Sequence, residues 1–470
     1  MRGALRRGTV LRKFGTGDMR LKRIRIGCGA GGCSFERLEP ADELITKGDI
    51  DYIVFECLAE RTIAAAQRDK LADPEKGYNP MLEERMRRIL PLIKKHHVRI
   101  VSNMGAANTP VAVRKIVEIA GELGVTGLKI AMVTGDDLSA DIEKYQDAIL
   151  MDAKEPLKTL GDTVVSANVY LSCDCIKDAL DAGADIVITG RIADPSLFVG
   201  ILRHEFGWTI EHPGKIGQSI LLGHLMECAG QLTGGFYADP GYKDCENLHL
   251  LGFPIAEMDE TGRFFVTKVE GSGGAVTEQI CKEQLLYEIG DPANYITPDG
   301  IADFSRVTFE QIGKDRVEAK NAVAKGLPET FKVNIGYQNC YIGEAEISYG
   351  GSNCLNRARL AAEIVKGRID YIGITPDEYR VDFIGYNSLY RDSISAPMFT
   401  GDASEVRLRI SARAADMDTV SKVVREVDCL YTNGPAGSAG IASHVSRVLS
   451  VENILIPKAD VRYEVTYVEA

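Results

Sequence analysis

Short polar motifs rich in acids, arginines and glycines recur in the first half of the chain, each at or just after a short apolar run. In chain order they read GCGAGG (27–32), FECLAERT (55–62), SNMGAANTP (102–110), TGDD (134–137), SANVYL (166–171) and TGRIADPS (189–196). Carboxylates can transfer protons, arginine binds carboxylate or phosphate, and the backbone N–H groups of glycine loops bind phosphate. The motifs therefore predict a site for a small anionic molecule.

Four residues are candidates for proton transfer. Glu56 lies in the apolar run YIVFECL, where an unpaired carboxylate would be costly. Asp136 stands beside Asp137, and paired acids at a strand end can act as a base, bind a divalent ion such as Mg²⁺, or cap the next helix. His224 and Glu227 share one helix face, which suits proton transfer and equally a satisfied core pair. The candidate catalytic residues are thus Glu56, Asp136, His224 and Glu227, and the candidate metal ligands are Asp136 and Asp137.

Other residues in these motifs are candidates for substrate binding. Arg191 has no evident local structural function and could hold a carboxylate or a phosphate through two hydrogen bonds. The glycine loop has the spacing of a dinucleotide fingerprint, but CSFER after it does not begin a helix of small residues, so a tight turn is the alternative. The candidate binding residues are Gly29, Gly31, Gly32, Glu60, Arg61, Asn103, Asn168, Arg191 and Asp194.

Strands alternating with helices must position these motifs. Six apolar strand patterns, from RIRIGCG to ADIVITGR, are separated by helical patterns such as VAVRKIVEIAGELG. Such alternation predicts an α/β fold with a parallel sheet, doubly wound in the first instance and a barrel as the alternative. Ligands bind beyond the carboxyl ends of parallel strands, so the motifs should meet at one edge of the sheet.

The pattern changes in the second half of the chain. FPIAEMDETGRFFVTKV predicts a hairpin, and alternating strands with two more helices follow. We expect an α/β domain over residues 21–290 and a mixed α+β domain over 291–470. Residues 1–20 are basic, and we interpret them as a disordered tail, with a targeting segment as the alternative.

Composition narrows the class of protein. The 470 residues carry a net charge of −12, which disfavours a general nucleic-acid binder. The sequence has no apolar run near the roughly 20 residues that cross a bilayer, so we expect no membrane association. The 11 cysteines are scattered, as is typical of a reducing compartment, which predicts a cytoplasmic protein. We also expect a homo-oligomer.

Seven ordered motifs resemble the acyclic terpene utilisation protein A (AtuA) family. They are IGCGAGG, DYIVFECLAERT, RIVSNMGAANTP, VTGDD, DIVITGRIADPSLF, GHLMECAGQLTGGFYADPGYKD and LGFPIAEM. The resemblance implies a setting among acyl-CoA carboxylases, enoyl-CoA hydratases and dehydrogenases of branched-acid breakdown. It implies a lyase or hydratase acting on a CoA-linked intermediate, but no catalytic residues are carried over from the family.

The sequence thus predicts an enzyme of acyl-CoA or carboxylic-acid catabolism that transfers a proton next to a carbonyl. Such a step needs a base with a pKa near neutrality and a group that stabilises the enolate, for which Mg²⁺ at the paired aspartates is one candidate. The sequence defines no cofactor; a CoA-linked substrate and Mg²⁺ are the candidates. The alternatives are a non-catalytic partner subunit of a catabolic complex and an NAD-dependent oxidoreductase.

Overall fold

The computed structural model describes residues 21–32, 35–399, 401 and 403–470. Internal contacts divide these residues into two units. The first unit takes the described residues up to 161 together with 165–336 and 451–470, and the second takes 162–164 and the described residues of 337–450. The domain boundary expected at residue 290 falls inside the first unit. The basic segment 1–20 lies outside the described residues.

The strands are, in chain order, β1 (Arg23–Ala30), β2 (Tyr52–Phe55), β3 (Arg99–Ser102), β4 (Lys129–Thr134), β5 (Val164–Val169), β6 (Ile186–Ile188), β7 (Pro254–Asp259), β8 (Phe264–Lys268), β9 (Tyr295–Thr297), β10 (Gly300–Asp303), β11 (Thr308–Gly313), β12 (Arg316–Lys320), β13 (Val323–Ala324), β14 (Thr330–Gly350), β15 (Glu378–Ile384), β16 (Glu405–Ala414), β17 (Ser438–Pro457) and β18 (Glu464–Glu469).

The α-helices are α1 (Glu39–Lys47), α2 (Glu60–Ala72), α3 (Leu82–His96), α4 (Thr109–Glu122), α5 (Asp174–Asp181), α6 (Ser196–Phe206), α7 (Pro213–Met226), α8 (Glu278–Leu286), α9 (Cys354–Tyr371), α10 (Arg391–Met398), α11 (Met417–Asp428) and α12 (Leu430–Asn433). Short 3₁₀ segments lie at Ser139–Tyr145, Leu157–Thr163, Ala229–Thr233, Leu248–Leu250 and Lys458–Asp460.

Five parallel strands form the centre of the first unit, in the order β1, β2, β3, β6 and β4. Every residue of β2 is buried, as expected for a strand in the middle of a parallel sheet, where both faces are covered. The structure confirms a mixed α/β fold with parallel strands. The ten-stranded sheet has two ends, β11 and β18, so it is open and does not close as the barrel alternative required.

Antiparallel strands extend the parallel centre on both sides, so the sheet is mixed. Strands β7 and β8 form the predicted hairpin, and β7 pairs with β1. Strands β12 and β11 continue this side because β12 pairs with β8, and β18 pairs with β4 on the other side. Strand β5, expected as a fifth strand of the parallel series, pairs with β14 outside this sheet.

The second unit is built on an antiparallel sheet in the order β15, β16, β14 and β17. Alternate residues of β16 are buried, the pattern of a strand with one covered face. Helices α9 and α11 supply the cover, because their apolar residues share one core with those of β14 and β16. This part of the chain has the mixed α+β character that the sequence predicts.

In the described part of the chain, no helix combines the length and the apolar character needed to cross a membrane.

Candidate functional site

Buried polar side chains meet at the carboxyl ends of the parallel strands in the first unit. Glu56 follows β2, Asn103 follows β3, Asp136 follows β4, and Arg191 lies shortly after β6. All four are at most 5 % exposed. With Asp194, which pairs with Arg191, they form the strand-end cluster. The structure therefore brings together candidates that lie up to 138 residues apart in the chain, from Glu56 to Asp194.

Glu56 accepts three hydrogen bonds within this cluster. Its Oε2 accepts from the backbone N–H of Gly32 at 2.5 Å, and its Oε1 accepts from the N–H of Leu58 and from Nδ2 of Asn103, both at 2.9 Å. Burial, followed by the charge of Asp194, raises the pKa of Glu56 to about 8, although these hydrogen bonds favour the ionised form. A carboxyl group with this pKa carries its proton at neutral pH.

Arg191 is enclosed by protein groups. Nη1 donates to the carbonyl of Leu58 at 2.6 Å, and Nη2 donates to Asp194 at 2.7 Å. The guanidinium stacks 4.1 Å from the centre of the Tyr170 ring. Arg191 is buried, with 1 % of the residue exposed. Its ion pair positions Asp194, whose side chain is 34 % exposed. The predicted contact of Arg191 with a ligand stays a prediction; its Nε is buried and has no hydrogen-bond partner.

Asp136 is held by the neighbouring strand ends. Its Oδ2 accepts from the N–H of Arg191 at 2.8 Å and from Nδ2 of Asn168 at 3.1 Å. A Cβ atom at Gly190 would lie 2.5 Å from both carboxylate oxygens, so only glycine permits this approach. Burial raises the pKa of Asp136 to about 6, which leaves it mostly ionised at neutral pH.

The pair Asp136 and Asp137 does not fit the predicted metal site. Asp137 turns to other partners: Oδ1 accepts from the N–H of Ser139 at 3.0 Å, and Oδ2 lies 3.4 Å from Nζ of Lys70. Among the described residues, no group of three or more potential ligand side chains converges on one point. The two neighbouring carboxylates therefore belong to separate hydrogen-bond networks.

His224 and Glu227 form the predicted pair near the end of α7. Nδ1 of His224 lies 3.2 Å from Oε1 of Glu227, and Nε2 lies 3.2 Å from the carbonyl of Leu285. A carbonyl only accepts, so this network assigns a hydrogen to Nε2. Both ring nitrogens are engaged, and the free atom of the pair is Oε2 of Glu227, which is buried without a partner.

Opposing effects act on the protons of this pair. Burial raises the pKa of Glu227 to about 7 against the lowering by His224. Burial alone would lower the pKa of His224, but the hydrogen bond and charge of Glu227 raise it above its ordinary value. Glu227 is thus a second carboxyl group that can exchange a proton near neutral pH.

The glycine loop joins this pair to the strand-end cluster. A Cβ atom at Gly31 would lie 2.4 Å from the carbonyl oxygen of Glu227, so the loop packs directly on the backbone after α7. Gly29 is equally tight against the ring of Phe55, and Gly32 adopts a φ of +63°. The loop therefore packs between the backbone of Glu227 and the side chain of Glu56. Ligand contact by these glycines stays a prediction.

A group of charged residues next to the cluster includes one that the sequence reasoning missed. Lys332, near the start of β14, donates to Glu60 at 3.0 Å and lies 4.3 Å from the centre of the Tyr170 ring. Burial alone would raise the pKa of Glu60, but Lys332 lowers it below its ordinary value. Arg61 is exposed and forms no ion pair with the described residues. No motif marked Lys332, because it lies in an alternating strand pattern far along the chain.

A surface groove lies in the first unit, away from the strand-end cluster. It is an open groove of about 580 Å³ lined by residues of α7, β12 and the turn after β7, among them His212, Lys215 and Arg263. None of its lining residues belongs to the strand-end cluster. Four members of the cluster are buried, and Asp194 is half-buried; the neighbouring Gly32, which donates to Glu56, is exposed.

The fold and the cluster define a mixed α/β protein with buried acid–base groups at the carboxyl ends of its parallel strands. The model of the family described as acyclic terpene utilisation family protein AtuA matches residues 24–467. The chain belongs to this family, which confirms the resemblance seen in the motifs. The family is implicated in the utilisation of acyclic terpenes, consistent with a catabolic role.

Two further comparisons add no functional information. No curated protein matches the chain. Among solved structures, the chain is similar to the de novo designed protein Foldit4, at 10 % identity over 23 % of this chain and 99 % of that one. The TM-score is 0.17, so this likeness carries no argument about the fold.

Proposed function

We propose that this protein is an enzyme of carboxylic-acid or acyl-CoA breakdown that transfers a proton at the carbon next to a carbonyl, in hydratase or lyase chemistry. The observation that carries the proposal is that three buried carboxyl groups, Asp136, Glu227 and Glu56, lie at and beside the strand ends, where burial raises the pKa of each. Such groups exchange protons near neutral pH, and their contacts distinguish acid from base: both oxygens of Glu56 accept hydrogen bonds, whereas Oε2 of Glu227 has no partner.

Glu56 and Glu227 take the two proton-transfer roles in this proposal. Glu56 is mostly protonated at neutral pH and serves as the acid. Glu227 is partly ionised, and its unpartnered Oε2 serves as the base. His224 acts through Glu227 and is a positioning residue, because both of its ring nitrogens are engaged.

Dehydration of a 3-hydroxyacyl substrate shows how the protons balance. Glu227 takes the proton from C2, the electrons of that C–H bond form the C2–C3 double bond, and the C3–O bond breaks. The proton of Glu56 goes to the departing oxygen, and water leaves. Hydration is the reverse, and a lyase would use the same acid to protonate the carbon released when a C–C bond breaks.

The charges beside the cluster support an anionic substrate. Arg61 is exposed and without an ion pair among the described residues, and Lys332 is 36 % exposed at its side chain. A carboxylate or a CoA phosphate near these residues would be attracted to both cations. The structure gives less support to the NAD-dependent alternative. A dinucleotide phosphate would need the N–H of Gly32, and this N–H donates to Glu56 instead.

Solvent deuterium exchange tests the proposal. The protein is incubated in D₂O with branched acyl-CoA thioesters and the matching free acids, and mass spectrometry measures deuterium gained at C2. We expect exchange with the wild type and a loss of about 10²-fold or more in Glu56→Gln and Glu227→Gln, the usual contribution of a general acid or base.

Glu257→Gln is the matched control for this experiment. Glu257 is a buried carboxylate of the first unit that pairs with Arg25 at 2.6 Å and lies outside the cluster. Exchange in this variant should equal that of the wild type. Absence of exchange in the wild type with every compound refutes the proposal and favours the non-catalytic partner subunit, and equal exchange in the Glu56 and Glu227 variants refutes the assigned roles.

A further inference from the structure

Tyr295 lies against the His224–Glu227 pair in a segment that the sequence analysis did not connect with the site. It is the first residue of β9. Its ring lies 5.0 Å from the His224 ring and 5.2 Å from the Phe304 ring, and those two rings are 5.9 Å apart. The three rings form one aromatic wall, to which Tyr295 contributes a hydroxyl group.

The Tyr295 hydroxyl has no hydrogen-bond partner among the described residues. Two buried tyrosines of the first unit do have partners: Tyr52 donates to Glu205 at 2.6 Å, and Tyr170 donates to Glu60 at 3.0 Å. Tyrosine hydroxyls at half-buried positions normally find an acceptor. A donor without a partner beside Glu227 and its positioning residue His224 is therefore available to a ligand.

The surrounding charges keep this hydroxyl protonated. Burial, followed by the negative charges of Glu227 and Asp194, raises the pKa of Tyr295 well above its ordinary value. Tyr295 therefore remains a neutral O–H donor throughout the pH range in which Glu227 and Glu56 titrate. Because Glu227 and Asp194 both raise this pKa, their carboxylates lie close enough to interact electrostatically with the Tyr295 phenol.

We propose that Tyr295 donates a hydrogen bond to the carbonyl oxygen of the substrate and stabilises the negative charge that develops there. This inference rests on the proposed function. When the base takes the C2 proton, the electron pair moves toward the carbonyl oxygen, and a donor aimed at that oxygen lowers the barrier without giving up its own proton. The ligand class is thus an acyl compound whose carbonyl lies beside the aromatic wall, with a thioester or a carboxylic acid as the reacting group.

Kinetics of Tyr295→Phe provide the first test. The variant removes one oxygen atom and keeps the ring against His224. With isovaleryl-CoA in D₂O, we expect the rate constant for C2 exchange at saturation to fall about 10²–10³-fold, the cost of losing one oxyanion donor, with little change in KM. Tyr467→Phe is the control, because Tyr467 lies on β18 and also has no hydrogen-bond partner among the described residues.

Fluorine NMR of the full chain labelled with 3-fluorotyrosine provides a second test that needs no turnover. The resonance missing from labelled Tyr295→Phe identifies Tyr295 in the wild type. We expect saturating isovaleryl-CoA to shift this resonance and to leave that of Tyr467 in place.

The outcomes separate this inference from the proposed function. Wild-type exchange that persists unchanged in Tyr295→Phe refutes the role of Tyr295 and leaves the proposed function standing. A shifted resonance without exchange in the wild type supports the contact and refutes the proposed function. An unshifted Tyr295 resonance overturns the assignment of Tyr295 whether or not exchange occurs.

Discussion

Replacement of Glu56 by glutamine should change how stability depends on pH. In the folded protein, burial and then the charge of Asp194 raise the pKa of Glu56 from 4.5 to about 8. The unfolded chain exposes this carboxyl group, so its pKa there is the ordinary one. Between these two values the folded state binds more protons than the unfolded state, so the free energy of unfolding falls as pH rises. The stabilisation is complete below the unfolded pKa and is lost as pH passes the folded pKa.

The structure gives the size of this effect. The interval between 4.5 and about 8 corresponds to on the order of 5 kcal/mol. Glutamine cannot ionise, so Glu56→Gln removes this loss. Its amide NH₂ also replaces one oxygen that accepts from Gly32 or Leu58, which costs about 1–3 kcal/mol at any pH. The variant should be less stable than the wild type near pH 5, and more stable at pH values above the folded pKa.

Urea unfolding of the wild type and Glu56→Gln, followed at half-unit pH intervals from about pH 5 to about pH 9, measures this difference. The difference in free energy of unfolding should change sign within the range. Glu257→Gln is the control, because it also removes a buried carboxylate, one that pairs with Arg25 outside the cluster. A difference for Glu56→Gln that stays constant over this pH range would refute the reasoning, because it would mean that Glu56 titrates alike in the folded and unfolded states.

Three further substitutions test other contacts of the site. Gly31→Ala should lower the free energy of unfolding by about 3 kcal/mol or more, because its Cβ would lie 2.4 Å from backbone atoms. The control Gly121→Ala in α4 meets nothing within 4 Å and should not destabilise the protein. Equal urea midpoints for the two variants would contradict this expected difference. His224→Gln removes a group that lowers the pKa of Glu227, so the rising limb of the pH–rate profile for deuterium exchange should move to higher pH, and an unmoved limb would show that the pair is not coupled. Arg191→Lys keeps the charge but loses the planar guanidinium, with its two hydrogen bonds and its stacking on Tyr170. The free energy of unfolding, measured in urea, should fall by about 1–3 kcal/mol. A fall below about 0.5 kcal/mol would mean that these contacts contribute little to stability.

The local sequence was sufficient to predict the five central parallel strands and the residues at their ends, although it also placed β5 among them. Glu56, Asp136 and Arg191 lie directly after apolar runs, and the rule that ligands bind beyond the carboxyl ends of parallel strands placed them at one edge. The spacing of His224 and Glu227 predicted their contact, because residues three apart share a helix face. These inferences hold because each depends on the period of one element or on the shared direction of neighbouring strands.

The partners of each group depended on the tertiary structure. Strand order put β7 beside β1 and β18 beside β4, pairings between segments more than 200 residues apart that no local pattern specifies. The tertiary structure likewise places Lys332 on β14 and Tyr295 on β9 beside the site. No local motif marks either residue as functional.

The sequence by itself determined which residue types stand at the strand ends, because strand and helix periods are local properties. Only the tertiary structure decided their partners and their protonation. Burial and the nearby charge of Asp194 raise the pKa of Glu56 to about 8, while hydrogen bonds to Leu58 and Asp194 enclose the arginine that the sequence marked as a ligand-binding residue. Desolvation and charge act through space, so the properties of such a site depend on the groups that the fold packs around it.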